Sequence, residues 1–170
     1  MKQLKVLIDE NTIQKRIKEL AKQIEKDYEN EDLTIVCILK GATFFTVDLT
    51  KNIDKDITIE FMQVSSYGSQ KVSSGIINLK LDLQNDIEGK NILIVEDIID
   101  TGITLNYLIK HLQERKPKSI KLCTLLDKEE CRKCNVDVEY VGFKITNKIV
   151  IWYGLEDNEF YINLPYIAEV

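Results

Sequence analysis

The stretch from residue 91 to residue 105, NILIVEDIIDTGITL, constrains the fold of this chain most strongly. Its aliphatic run, Ile92–Val95, is typical of a strand that is covered on both faces in a parallel sheet. Glu96 and Asp97 are then expected at the carboxyl end of that strand, which is the edge where open α/β sheets bind ligands. The small residues after Asp100 predict a turn that opens a helix, Leu105–Gln113. The stretch is therefore where we expect the chemistry.

The turn after the strand has the features of an anion site. Thr101, Gly102, Ile103 and Thr104 place backbone N–H groups and two hydroxyls at the start of the predicted helix. A helix N-terminus with free N–H donors binds anions, most naturally a phosphate.

The acidic residues Glu96, Asp97 and Asp100 crowd negative charge beside this proposed phosphate, so some of the charge must be shared or neutralised. Two adjacent acids can accept hydrogen bonds from a pair of sugar hydroxyls, and magnesium with oxygen ligands can bridge substrate oxygens. Asp100 is then free to act as an acid or a base. The alternative is a solvated acidic loop with an aspartate helix cap.

Length and charge narrow the class of protein. A chain of 170 residues suits one domain with a sizeable core. The net charge of -5 and the isoelectric point near 5.1 argue against a broad nucleic-acid footprint, which is ordinarily basic. The first residues lack the apolar region of a signal peptide, and no apolar run approaches membrane-spanning length. We therefore expect a cytoplasmic protein without nucleic-acid or membrane partners.

The four cysteines agree with that expectation. Cys37 and Cys123 lie in apolar strand patterns and are interpreted as small core residues. Cys131 and Cys134 form a single C-x-x-C without a second pair, and the only histidine, His111, lies in a different predicted element. Since structural zinc sites have four ligands, we do not favour the hypothesis that this pair serves metal or redox chemistry.

The first third of the chain predicts a helix, a strand and a second cationic turn. Apolar residues at helical spacing predict a helix from Thr12 to Tyr28, with Asn11 and Gln14 at capping-box spacing. The buried strand Leu33–Leu39 follows. Lys40 and Gly41 then stand at another strand end, before the apolar helical stretch Thr43–Leu49, where a phosphate contact is plausible.

A long polar loop separates the next two strands. The strand Ile57–Val64 is expected to bury one face through Ile57, Ile59 and Phe61, and the β pattern resumes at Ile76–Leu81. The intervening glycine- and serine-rich residues 65–75 are typical of a functional loop. We interpret this loop as a lid that closes over the substrate, with Tyr67 as a contact residue.

The last part of the chain continues the alternation. The strand Ser119–Leu126 is followed by Lys128, a further cation at a strand end, and Val136–Val141 and Ile149–Tyr153 predict two more strands. This pattern predicts an α/β fold with a mainly parallel sheet flanked by helices. The glycine signatures of dinucleotide folds and of P-loops are absent from the sequence, so neither NAD nor ATP is the favoured ligand.

Residues Val95–Gly102, VEDIIDTG, resemble the phosphoribosyl-pyrophosphate signature of the type I phosphoribosyltransferases. Further motifs resemble the hypoxanthine-guanine branch of that family in order and spacing, so the resemblance covers nearly the whole chain. These motifs are Leu39–Gly41, Ser65–Gly68, Leu125–Lys128, Val141–Phe143, Tyr153–Leu155 and Asn163–Ile167.

The resemblance implies a role for each matching position on the sugar side. Glu96 and Asp97 would hold the ribose hydroxyls, and Asp100 would be the acid or base that faces purine N7. The 5′-phosphate would be cradled by Thr101, Gly102, Ile103 and Thr104.

The remaining positions would serve pyrophosphate, purine and metal. Lys40 and Gly41 would hold pyrophosphate, and the lid, about residues 66–75, would cover the reaction with Ser66 and Tyr67. Lys128 would donate to the purine 6-oxo group, Val150 would read the base through its backbone, and Ile149 would cover one base face. Magnesium would be held by Glu96, Asp97 and Glu156.

The implied organisation is a single phosphoribosyltransferase domain spanning residues 1–170. Its core would be about residues 10–145, with a small hood from residues 1–9 and 146–170. The implied reaction moves ribose 5-phosphate from phosphoribosyl pyrophosphate to N9 of hypoxanthine or guanine and releases pyrophosphate, in a homodimer or homotetramer.

The purine end departs from the family pattern. Ile149 replaces an aromatic residue that stacks on the base, Trp152 replaces a glycine, Glu156 replaces an aspartate, and Ile162 stands where the family has an arginine that contacts pyrophosphate. Two alternatives to the main hypothesis therefore stay open. One is a nucleotide-binding regulatory or weakly active protein, and the other is an enzyme retuned to another base such as xanthine.

Overall fold

The computed structural model describes residues 5–66, 77–151, 153–154 and 162–169. Within them the chain forms three α-helices and nine strands. In chain order these are β1 (Lys5–Ile8), α1 (Glu10–Asp27), β2 (Leu33–Leu39), α2 (Thr43–Lys51), β3 (Thr58–Ser66), β4 (Ile77–Leu81), β5 (Asn91–Ile99), α3 (Ile103–Gln113), β6 (Ser119–Asp127), β7 (Tyr140–Lys144), β8 (Val150–Ile151) and β9 (Ile167–Glu169).

The central sheet has six strands in the order β4-β3-β2-β5-β6-β7. Strands β3, β2, β5, β6 and β7 run parallel, and β4 is antiparallel to β3 at one edge. The order turns back between β2 and β5, because β2 leads on to β3 at one side whereas β5 leads on to β6 at the other. Such a switch point is where open α/β sheets form their ligand crevice. The mainly parallel α/β fold expected from the sequence is confirmed.

Helices cover both faces of this sheet, which explains the unbroken aliphatic runs of β2 and β5. Helix α1 buries one stripe of apolar side chains against the first face, where Phe45 and Leu49 of α2 join it. Helix α3 buries Leu105, Leu108 and Leu112 against the opposite face. Cys37 and Cys123 are fully buried in β2 and β6, as predicted.

Three short strands near the two ends of the described chain form a second sheet in the order β1-β9-β8. All its pairings are antiparallel. Ile151, Tyr153, Ile167 and Ala168 from this region belong to the same apolar cluster as α1. The small sheet is therefore packed onto the main core.

Several element boundaries differ from those expected. Helix α1 begins at Glu10, and Asp9, rather than Asn11, caps it by accepting a hydrogen bond from the Thr12 N–H at 2.9 Å. An aspartate carboxylate competes well for this cap position, and the apolar spacing alone cannot locate it. The strand predicted at Val136–Val141 lies instead at Tyr140–Lys144, and the strand predicted at Ile149–Tyr153 is reduced to Val150–Ile151.

The expected buried face of β3 is wrong. Ile59 and Phe61 are 40% and 45% exposed, whereas Glu60 and Met62 on the alternate face are buried. A period of two shows that a strand has two different faces, but the position of β3 near the sheet edge decides which face is covered.

None of the helices in the described ranges combines the length and the apolar character needed to span a bilayer.

Candidate active site

Three turns meet at the carboxyl edge of the parallel sheet. Strands β2, β5 and β6 are neighbours, and they are followed by Lys40, Asp100 and Lys128, respectively. Ile99 of β5 is in register with Asp127 of β6, so the turns after these two strands begin at the same level. The cationic and acidic strand ends expected from the sequence therefore lie along one edge.

The phosphate turn, residues Asp100–Thr104, forms one wall of a cleft of about 130 Å³. Gly102 precedes the first helical residue and has φ of +80°, a left-handed conformation that glycine adopts without strain. A β-carbon at this position would also lie 3.1 Å from Val136. Helix α3 begins at Ile103, two residues earlier than expected, so Ile103 and Thr104 belong to its first turn. The N–H groups of a first helical turn have no acceptor within the helix, which suits an anion.

Glu96 lines the same cleft as Asp100 and Thr104, whereas Asp97 lies against Gly41. Both acids lie within β5, which runs on to Ile99, and do not follow the strand as expected. Burial, and then the charge of Asp97, raise the pKa of Glu96 well above its usual range. Burial raises the pKa of Asp97 to about 6. A bound cation or hydroxyl donors would therefore favour the charged form of both acids.

The turn after β2 is closely packed between two other parts of the site. A β-carbon on Gly41 would overlap the carboxylate of Asp97, and a β-carbon on Gly154 would overlap the carbonyl oxygen of Gly41. The Leu39–Lys40 peptide bond is cis, and the Lys40 carbonyl accepts a hydrogen bond from the Thr43 hydroxyl at 2.6 Å. Glycine at position 41 thus permits close approach of Asp97 on one side and residue 154 on the other.

The purine side begins at the end of β6. Lys128 is buried, and its N–H donates to the carbonyl of Ile99 at 2.9 Å. Asp127 is also buried and forms an ion pair with Arg132, whose guanidinium reaches back to the Asp100 carbonyl at 2.7 Å. Asp100, the acid-base candidate, and Lys128, the candidate for purine binding, are therefore connected through the main chain and one arginine.

The region beyond β7 supplies the rest of the described purine side. Ile149 is 74% exposed, and Val150 is held in β8 opposite Glu169. Ile162 uses its carbonyl to accept from the Gly154 N–H at 2.9 Å, which ties the last segment to the turn that touches Gly41. An apolar side chain at position 149 is thus available to cover a bound base.

Some expected site residues cannot be placed. Tyr67, Trp152 and Glu156 lie outside the described residues, as does most of the proposed lid. Ser66 ends β3 and is paired with Ile77, but its side chain is not described.

The oxygen donors at the edge fit magnesium. Glu96 and Asp97 are carboxylates, the donor type that magnesium prefers, and it commonly takes one or two from the protein and its other ligands from substrate and water. Among the described residues no group of three or more His, Cys, Asp and Glu side chains could hold a metal by itself. Bound substrate and water would supply further oxygen ligands.

Several residues that support the site through hydrogen bonds were not predicted from the sequence. Arg132 lies inside the C-x-x-C segment, and no local pattern indicates that it reaches the Asp100 carbonyl. Tyr153 donates its hydroxyl hydrogen to Asp48, and Gln14 donates to the same carboxylate at 2.8 Å. These contacts join distant parts of the chain, so only the folded structure reveals them.

Comparison with known proteins agrees with this geometry. The phosphoribosyl transferase domain family matches residues 6–158. The hypoxanthine-guanine phosphoribosyltransferase of Bacillus subtilis is 47% identical over 164 residues, which cover 96% of this chain and 91% of that protein. A crystal structure of a hypoxanthine-guanine phosphoribosyltransferase from Bacillus anthracis, with a HEPES molecule in its active site, superimposes with a TM-score of 0.92 at 47% identity and covers 97% of both chains.

The same similarity extends to longer proteins. The chain is 47% identical to part of the bifunctional protein TilS/HprT of Listeria monocytogenes, of which it spans only 25%. The family match over most of the chain, together with the identity to relatives of similar length, establishes the relationship. The chain belongs to the phosphoribosyltransferase family, in its hypoxanthine-guanine branch.

Proposed function

We propose that this protein is a purine-salvage phosphoribosyltransferase that converts hypoxanthine or guanine and phosphoribosyl pyrophosphate to the nucleoside monophosphate and pyrophosphate. The observation that carries the proposal is the cleft at the end of β5, where Glu96, Asp100 and Thr104 share one wall next to a helix N-terminus. A ribose phosphate needs an anion site and acceptors for its hydroxyls within a few ångströms of each other, and this cleft offers both.

The phosphate turn would hold the 5′-phosphate through the N–H groups of Thr101–Thr104 and the threonine hydroxyls. Glu96 and Asp97 would accept from the ribose hydroxyls, and Lys40 and Gly41 would bind the pyrophosphate that leaves. Positive charge grows on the ribose ring as pyrophosphate departs, so carboxylates held close to the ring stabilise the transition state more than the ground state.

The base would lie between the end of β6 and Ile149, with the 6-oxo group on Lys128 and the backbone of Val150 at its edge. Asp100 would exchange a proton with N7 as N9 attacks the ribose carbon. The lid, about residues 66–75, would exclude water through Ser66 and Tyr67. Exclusion of water prevents hydrolysis and strengthens the electrostatic interactions inside the site.

Magnesium is the proposed cofactor, with Glu96, Asp97 and Glu156 as the chain's candidate ligands. When bound, magnesium neutralises negative charge on the pyrophosphate group and orients it for departure. The buried acids Glu96 and Asp97 support this assignment, because burial raises their pKa values and a bound cation would favour their charged, metal-binding form.

The proposed assembly is a homodimer or homotetramer. Four large apolar side chains are exposed on α2 and β3, namely Phe44, Val47, Ile59 and Phe61. Exposed apolar side chains are typical of surfaces that bind another protein, and we assign a second copy of this chain as the partner for these two consecutive elements. Sedimentation velocity of the purified protein and of its Phe61→Ser variant tests this assignment, since a monomeric wild-type protein contradicts it. The cytoplasmic location stays a prediction from the sequence.

A panel of purine bases tests the proposed function. Purified protein is incubated with magnesium, phosphoribosyl pyrophosphate and hypoxanthine, guanine, xanthine or adenine, and nucleotide formation is measured. We expect turnover with hypoxanthine or guanine. Absence of a nucleotide product with every base contradicts the proposal, and turnover with xanthine alone identifies a retuned base site. Nothing in the described residues or in the relatives favours a purely regulatory protein.

A further inference from the structure

The segment from residue 131 to residue 134 packs against the rear of the phosphate turn. The N–H groups of Lys133 and Cys134 both donate to the carbonyl of Thr101, at 2.9 and 3.3 Å. A β-carbon on Gly102 would lie 3.3 Å from the Cys134 carbonyl oxygen. The C-x-x-C segment therefore buttresses the turn by main-chain contacts.

Arg132 contacts both sides of the site through its side chain. Its Nη1 donates to the Asp100 carbonyl at 2.7 Å, and its Nη2 pairs with the carboxylate of Asp127. The side chain of Arg132 is 15% exposed and that of Asp127 is 6% exposed. The Arg132 guanidinium thus binds both Asp100, which carries the proposed acid-base group, and Asp127, which directly precedes Lys128.

A lysine could not replace this arrangement. A guanidinium has donors in a fixed planar fork, so it can bind a carbonyl and a carboxylate in defined directions at once, whereas an ammonium is a point charge on a flexible stem. The buried Asp127 also needs a positive partner, because an unpaired buried charge is costly. Burial, and then the carboxylate of Asp100, raise the pKa of the Cys131 thiol in the same segment.

We propose that Arg132 is a positioning residue that sets the distance between Asp100 and Lys128. This inference rests on the proposed function, in which both residues act on one purine ring, Asp100 at N7 and Lys128 at the 6-oxo group. When two side chains bind the same rigid ring, their relative positions must be fixed to within a fraction of an ångström. Arg132 binds the main-chain carbonyl of Asp100 and the side chain of Asp127, which directly precedes Lys128. In this role it makes no contact with substrate.

The test compares Arg132→Lys, Arg132→Ala and the control Lys133→Ala. Lys133 lies in the same segment and carries the same charge, but its side chain is exposed. For each variant kcat and both KM values are measured, and kcat is expressed per nucleotide-binding site counted by calorimetric titration with inosine monophosphate. Counting the sites removes any effect of a lower folded fraction.

We expect both Arg132 variants to lower kcat per site by about tenfold to a hundredfold, as misplacement of reacting groups by about an ångström does. The KM for phosphoribosyl pyrophosphate should change by less than about threefold, because the main-chain hydrogen bonds from Lys133 and Cys134 to Thr101 still hold the phosphate turn. The Lys133→Ala control should match the wild type.

Chemical rescue separates positioning from a general structural role. Arg132 borders a cavity of about 600 Å³ that also touches Asp127, so free guanidinium ion can enter beside the shortened side chain. Guanidinium should restore part of kcat in Arg132→Ala and leave Arg132→Lys unchanged. Should Arg132→Ala fail to fold, Arg132→Lys alone decides the question.

Wild-type kcat per site in Arg132→Lys overturns the positioning role, and so does an equal loss in Lys133→Ala. A wild-type protein that turns over no purine base overturns the proposed function itself, and the role of Arg132 with it. The two failures are distinguishable, because only the second affects the unmodified protein.

Discussion

The proposed phosphate turn between β5 and α3 and the proposed purine side around β8 differ in how firmly the chain holds them. The turn is fixed by hydrogen bonds from residues 132–134 to Asp100 and Thr101, and by the close fit of Gly102. The described purine side consists of buried Lys128, a two-residue strand and Ile149, which is 74% exposed.

We infer that the proposed anion site is formed before substrate arrives, whereas the described part of the proposed base site leaves apolar surface for the base to cover. A preformed site loses little entropy on binding, and an open one gains its contacts from the ligand. Substitutions at the turn should therefore affect phosphoribosyl pyrophosphate or the chemical step, and substitutions near β8 should affect the base alone.

Asp100→Asn should have the largest effect. The amide keeps the shape of the turn but cannot exchange the proton, so kcat should fall by about a hundredfold to ten-thousandfold. Calorimetry should give an unchanged Kd for magnesium phosphoribosyl pyrophosphate. Asp137→Asn, which alters an exposed acid of the loop before β7, is the control. Normal turnover of Asp100→Asn would remove the acid-base role.

Gly102→Ala should weaken binding of phosphoribosyl pyrophosphate on the order of tenfold, because the added methyl meets Val136 and shifts the N–H groups. Gly89→Ala is a matched control, since Gly89 also has a positive φ, of +71°, but a β-carbon there meets nothing within 4 Å. Both variants should lose about 1–2 kcal/mol of stability from the left-handed backbone. Equal substrate affinity in the two variants would contradict a preformed turn.

The pH dependence of the free energy of unfolding should reflect the raised pKa of the buried acid Asp97. The pKa of Asp97 is raised from 3.8 to about 6 in the folded protein, so the folded state binds a proton more tightly than the unfolded state. The stabilisation is complete below the unfolded pKa and is lost as pH rises through the folded one. The free energy of unfolding should therefore fall between about pH 4 and pH 6 relative to Asp97→Asn, measured by urea titration without magnesium. An equal change of the free energy of unfolding with pH in the two proteins would contradict a raised pKa of Asp97.

Ile149→Ser should have the smallest effect and should act on the base alone. Covering one isoleucine with a purine removes a modest apolar area, worth about 1 kcal/mol or less, so the KM for hypoxanthine should rise by no more than about fivefold. The KM for phosphoribosyl pyrophosphate should not change. Val6→Ser, at an exposed apolar position on β1, controls for general surface effects. A larger change in the KM for phosphoribosyl pyrophosphate than in the KM for hypoxanthine would contradict the proposed role of Ile149.

The sequence predicts those parts of the molecule whose structure is decided locally. The aliphatic runs of β2 and β5 and the glycine turn before α3 each carry their own signal, and all three lie where expected. The exposed face of β3 was mispredicted because alternation cannot say which face a helix will cover.

Contacts between distant segments carry no such local signal. Gly41 meets Gly154 and Arg132 meets Asp100 only because the fold brings separate turns to one sheet edge. The family resemblance indicated the roles of Asp100 and Lys128, but it did not indicate the arginine that connects their turns. That connection follows from geometry alone.

The proposed substrate arrangement is tested most directly by a crystal structure with inosine monophosphate, pyrophosphate and magnesium. We expect the 5′-phosphate within hydrogen-bond distance of the N–H groups of Thr101–Thr104, with the purine 6-oxo group on the Lys128 ammonium and N7 beside Asp100. A nucleotide whose phosphate lies anywhere other than this turn would contradict it.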